Sequence, residues 1–138
     1  MSAVRARHCP PLRSRKAVKI AFLTCSDLLE GAFDRRADAF EHDLQIAGLR
    51  AALPATASVA EIDRRSRLKA FAGFDVALLG TAWNYQDHAL AFLTRLEDLA
   101  TRGINVCNGL DVARWNIDKS YLRALETWCR HNTNSLAR

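Results

Sequence analysis

Phe74-Asp75-Val76-Ala77-Leu78-Leu79-Gly80 is the stretch on which the fold turns. Its apolar run is short, has no helical period and stops at a glycine before Thr81-Ala82-Trp83-Asn84-Tyr85. It therefore reads as a strand covered on both faces that feeds an aromatic loop. Upstream, Ala17-Val18-Lys19-Ile20-Ala21-Phe22-Leu23-Thr24 has the same character and runs into loop signals at Ser26, Asp27 and Gly31. Thr56 to Ile62 reads as a weaker strand between the two, and Ile104 to Cys107 as a short fourth strand before the Asn108-Gly109 turn. Helical patterns fill the gaps. Asp34 is the expected N-cap of a helix to Ala52, with Ala37, Phe40, Leu44, Ala47 and Ala51 on its inner face and Pro54 as its stop. Leu68–Phe71 reads as a short helix. Asp87 is expected to cap a helix to Arg102, with Leu90, Leu93, Leu96 and Ala100 inward and Gly103 closing it. Asp111 to Trp115 makes one turn, and Asp118 opens a last helix to Trp128 with Leu122 and Leu125 inward. Strands alternating with helices predict an α/β domain: a small open parallel sheet of about four strands with helices on both faces.

Charge divides the chain unevenly. The 138 residues carry 20 Lys and Arg against 15 Asp and Glu, for a net charge of +5. Arg5, Arg7, Arg13, Arg15 and Lys16 supply that whole excess, and no acid lies among residues 1–16. From residue 17 on, the charges balance. Residues 1–16 are accordingly expected to be a disordered basic arm, residues 17–128 the α/β domain, and residues 129–138 an irregular tail. The pI of 9.4 thus describes an arm and not a folded basic face, so nucleic-acid binding by the domain is not expected. No apolar run approaches the roughly 20 residues that span a bilayer, and none resembles a secretory signal. Cys9, Cys25, Cys107 and Cys129 form no CxxC pair and have no histidines at zinc spacing. They are expected as reduced thiols in a cytoplasmic protein, with no metal site.

In an open parallel sheet, ligands bind beyond the carboxyl ends of the strands. Three segments satisfy that rule: Thr24 to Asp27, Thr81 to Tyr85, and Asn108 onward. GxGxxG, GxxxxGK, GxSxG and HExxH are all absent. Asp27 either orients a ligand amine or caps a turn. Trp83 and Tyr85 either stack on a ligand or plug the gap between loop and helix. Arg114 is either solvated or lines a cleft. His42, His88 and His131 read as surface histidines. Lys119 opens the last helix, where a cation is mildly unfavourable. It is either a solvated lysine or, with the free N–H groups of that turn, an anion site.

Phe74 to Leu125 resembles the N-terminal part of ATP-grasp ligases, nearest the glutathione synthetase-like and ribosomal-protein-modification branch. The resemblance rests on the strand leading to Trp83-Asn84-Tyr85, the turn at Asn108, and Arg114-Trp115-Asn116-Ile117-Asp118-Lys119 followed by Tyr121-Leu122. Ile20 to Leu28 fits the same family's first strand and loop. The resemblance implies a pre-ATP-grasp, Rossmann-like lobe carrying part of the acceptor-substrate surface, and a phosphate-contacting role for Lys119. Asp27, Thr81, Trp83, Asn84, Tyr85 and Arg114 are the substrate-side candidates, with no catalytic residue among them. The complete enzymes of the family use ATP and magnesium to activate a carboxylate as an acyl phosphate and join it to an amine. Three positions depart from the pattern. Gly80-Thr81-Ala82 stands where related sequences read Arg-Ser-Thr, Asn84 where they read Asp, and Gly109 where they read Pro. The residues after Glu126 do not continue into ATP-grasp lobes, so the chain is expected to be a truncated or frameshifted lobe that binds no cofactor by itself. The remaining lobes, or a second copy on exposed apolar surface, are the expected partners. A stand-alone flavodoxin-like module for a small ligand or a protein is the alternative.

Overall fold

The computed structural model describes residues 17–118 and 121–133. Lys119, the basic arm of residues 1–16 and residues 134–138 lie outside them. Four strands, β1 (Val18–Thr24), β2 (Ala57–Asp63), β3 (Val76–Leu79) and β4 (Asn105–Cys107), form one parallel sheet in the order β2-β1-β3-β4. The expected α/β architecture of about four parallel strands is the one observed. β1 sits between β2 and β3, and its last four residues are all buried. That explains its unbroken apolar run, since a strand covered on both faces has no polar side.

The two faces bury different helices. Ala21 and Leu23 of β1 join Ala77 of β3 in a core with Phe92, Leu96 and Leu99 of α2 (Ala89–Thr101). Phe22 points the other way, its ring 5.7 Å from that of His42 on α1 (Ala39–Ala52). Removing a fully buried leucine such as Leu23 or Leu96 from such a core costs about 2–5 kcal/mol. The connection from β2 to β3 contains a single 3-10 turn, Leu68–Phe71, where a short helix was expected. Phe71 of that turn is fully buried under the α2 face.

Several helix details differ from expectation. α1 starts at Ala39, not at Asp34, and Asp38 precedes it without capping it. The Asp38 carboxylate is taken by the Arg36 guanidinium, with two bonds of 2.8 Å. The apolar stripe Ala37, Phe40, Leu44, Ala47 and Ala51 faces solvent. Ala39, His42 and Ile46 are buried instead. In α2 the inward set is Phe92, Leu96 and Leu99, whereas Leu90 is 80% exposed and Ala100 is exposed. A 3-10 turn at Tyr85–His88 delays the start of α2 past Asp87. Tyr85 stacks on Phe92 at 5.0 Å and so turns that residue, and not Leu90, toward the sheet.

The single turn expected near Asp111 is a full helix, α3 (Leu110–Ile117). The last helix, α4 (Tyr121–Thr133), continues past Trp128, so residues 129–133 are helical and not irregular. Leu122 and Leu125, expected inward, are about half exposed. Among the described residues no helix is long and apolar enough to cross a membrane.

Candidate functional site

β1 and β3 are neighbours, yet the chain leaves them toward opposite faces of the sheet, which opens a crevice at their carboxyl ends. The crevice brings together residues 24–27 and 81–85. The Thr24 and Thr81 hydroxyls lie 3.1 Å apart. The Cys25 thiol donates to the Trp83 carbonyl at 2.7 Å. Burial pushes the Cys25 thiol above its usual range, an effect that Arg64 opposes, so this group stays a neutral donor. The backbone N–H of Arg36 donates to the Asp27 carbonyl at 3.0 Å and draws the loop before α1 over the same edge.

Beneath the crevice lies a polar chain that the sequence reading missed. His42, read as a surface histidine, has no exposed area. Its Nδ1 is 2.6 Å from the Thr81 hydroxyl and its Nε2 is 2.7 Å from Glu61 Oε1. The other oxygen of Glu61 accepts from Arg50 at 2.7 Å. A carboxylate only accepts, so Nε2 carries a proton toward Glu61 and Nδ1 faces the hydroxyl. Hydroxyl, imidazole and carboxylate in a row have the connectivity of a nucleophile relay. Thr81, however, is 1% exposed, so no substrate reaches its oxygen. The row is a clamp joining α1, β2 and the β3 loop.

The sequence candidates fall in distinct places. Asp27 is half-buried, and its Oδ1 is enclosed with no hydrogen-bond partner. Trp83 is half-buried under the Arg36 guanidinium, which stands 5.1 Å from its ring centroid. Asp38 holds Arg36 still more firmly protonated than usual and is itself pulled below the ordinary carboxylate range. Asn84 adopts the left-handed conformation at φ 59°. That conformation turns its carbonyl, with that of Trp83, toward Arg64 Nη2 at 3.3 Å each. Arg114 is exposed, and its guanidinium stands 3.5 Å from Asp111.

Tyr85, at the end of the loop, turns toward the α2 side. With Gly80, Asn108, Val112 and Asn116 it lines a cleft of about 230 Å³ between the ends of β3 and β4 and α3. Asn116 Nδ2 donates to its hydroxyl at 3.2 Å. This volume suits a small molecule or one end of a larger one. Arg36 and Arg64 were not singled out from sequence, and Asn116 only within the string that carries the resemblance. Arg64 follows the end of β2 and obeys the same carboxyl-end rule that selected the other segments.

A parallel sheet with its polar and aromatic loops gathered at the carboxyl outlet defines a Rossmann-like α/β lobe. Residues 20–108, well over half of the chain, match the family described as D-cycloserine synthetase DcsG, N-terminal domain, and the chain belongs to that family. It therefore carries the N-terminal domain of a ligase. No curated protein and no solved structure matches it.

Proposed function

We propose that these residues form the opening lobe of an ATP-dependent carboxylate–amine ligase of the ATP-grasp, glutathione synthetase-like kind, and that the lobe does not ligate by itself. One observation carries the reading: the family match covers the strands and loops that meet at the sheet outlet, where residues 24–27 and 81–85 converge. On this reading Asp27, Trp83, Asn84 and Tyr85 form the acceptor-side wall. Thr81 acts from behind as part of the clamp, Arg114 borders the outlet, and Lys119 contacts nucleotide phosphate.

ATP and magnesium are the cofactors of the complete enzyme. Among the described residues no group of three or more His, Cys, Asp or Glu side chains converges on a metal position. Phosphoryl transfer needs metal ions and clamps on the transferring group. The metal-binding and adenine-holding parts belong to further polypeptide, which packs against the apolar face that α4 presents at Leu122, Leu125 and Trp128. We place the work in the cytoplasm, where free thiols stay reduced.

Calorimetry of the purified chain with ATP and magnesium, with Lys119→Ala alongside, tests the reading. The expected result is no measurable heat, or millimolar affinity at best. Micromolar affinity abolished by Lys119→Ala, or amide formation at the expense of ATP, overturns the claim that the lobe is inert alone. The cleft at Tyr85 favours a second reading, since it is built wholly within the lobe. A saturable small ligand bound there without any ligase lobe would favour the stand-alone module.

A further inference from the structure

A second cavity, of about 300 Å³, lies on the α2 side of the sheet between the end of β2 and the start of α2. Arg64, Arg65, His88, Ala91, Phe92 and Arg95 line it. Three of these six side chains are guanidinium groups, which keep their charge at any working pH.

Arg64 is the innermost. Its backbone N–H donates to the Thr24 carbonyl at 2.9 Å, so the residue continues the β2–β1 ladder one step beyond the strand. The side chain then runs inward, leaving the residue 7% exposed. Nη2 is used by the Trp83 and Asn84 carbonyls. Nε is buried and has no hydrogen-bond partner. Arg95 comes from a different element, α2, and likewise holds a buried Nη1 with no partner. Arg65 gives Nη2 to Ser26 Oγ at 3.1 Å, and its Nε is 3.8 Å from Asp63 Oδ1. That long contact is the one ion pair these three arginines make among the described residues. Asp27 shares the surroundings of Cys25 with Arg64 and Asp63, but bonds to neither Arg64 nor Arg95.

A buried guanidinium without a counter-charge is strongly unfavourable, and each enclosed donor left unused adds the cost of its lost hydration. Here the two side chains that carry such donors, from two elements, line one cavity. Guanidinium N–H groups pair best with the two or three oxygens of a carboxylate or phosphate. Ala91 and Phe92 add an apolar wall for the body that carries those oxygens. We propose that this cavity is an oxyanion site in which Arg64 Nε and Arg95 Nη1 grip a carboxylate or phosphate group. The inference does not rest on the ligase reading, since a stand-alone module would hold the same site.

The test is titration of the full chain with sodium acetate and, separately, with inorganic phosphate at constant ionic strength. The arginine Nε–Hε resonances and calorimetry are the readouts. One of the two anions should shift the Arg64 Hε resonance saturably. Arg95→Gln should weaken that binding by about tenfold or more. Arg102→Gln, at the exposed far end of α2, should leave it unchanged. Arg64→Lys, which keeps the charge but removes Nε, should also weaken it. Should Arg64→Lys fail to fold because the Trp83 loop loses its anchor, the half-buried Arg95 still decides the matter. Saturation by acetate alone identifies a carboxylate ligand, and saturation by phosphate a phosphate group. No response to either anion, or a response unchanged in Arg95→Gln, overturns the proposal.

Discussion

Gly80 has no room for a side chain, and the reason lies in Phe22. The edge of the Phe22 ring points at Gly80, so a Cβ there would overlap its Cζ and Cε atoms. The ring is itself buried against His42 and has little room to move. Gly80→Ala should therefore cost about 1–3 kcal/mol by overpacking. Urea unfolding should show most of that loss disappearing when the substitution is made beside Phe22→Leu. An unchanged midpoint in Gly80→Ala alone would contradict the packing. This arrangement was not legible in the sequence. Phe22 and Gly80 are 58 positions apart, and only the parallel register, which sets Phe22 beside Leu78, brings them together. The positions of Asp27, Trp83 and Tyr85 at or beside the outlet were legible, because the end of a parallel strand is a place that topology alone assigns.

At the scale of elements, the strands were read well and the faces of the helices poorly. Strand character comes from short, dense apolar runs, and those survive without tertiary information. A helix face depends on what lies beneath it. α1 turns Ala39, His42 and Ile46 inward because Glu61 on β2 and Thr81 after β3 offer His42 a partner at each nitrogen. Hydropathy ranks histidine as polar, so the sequence stripe through Phe40 and Leu44 looked the better core. His42→Leu should lower stability by about 1–3 kcal/mol, since the buried Thr81 hydroxyl then keeps only Thr24 and one oxygen of Glu61 loses its imidazole partner. His42→Gln, which keeps a polar end, should restore part of the loss in the same denaturation experiment. A leucine variant as stable as the parent would mean that the row contributes nothing.

For the molecule as a whole, the buried residues form two clusters, and none of the described α4 side chains belongs to either. The link of α4 to the rest includes the stacking of Tyr121 on Trp115, with ring centroids 4.1 Å apart. Leu122, Leu125 and Trp128 of α4 are exposed, as are Val112 and Trp115 of α3, and exposed apolar side chains on adjoining helices invite association. In the absence of other lobes, sedimentation velocity should detect self-association that rises with concentration. Leu125→Ser with Trp128→Ser should return the chain to a monomer. A clean monomer in the parent would argue that this face needs no cover. The sequence pattern predicted a last helix but put Leu122 and Leu125 inside. Its period is that of a packed helix, and period alone does not say which polypeptide does the packing.

Arg64 has a mechanical consequence as well. It directly follows the edge strand β2, yet it reaches over the tip of β1 to hold two successive carbonyls of the Trp83–Asn84 loop. The aromatic loop after the inner strand β3 is thereby tied across β1 to the sheet's edge. An anion held on the unused side of that guanidinium would share its anchor with the aromatic loop, so the two sites would be linked through one side chain.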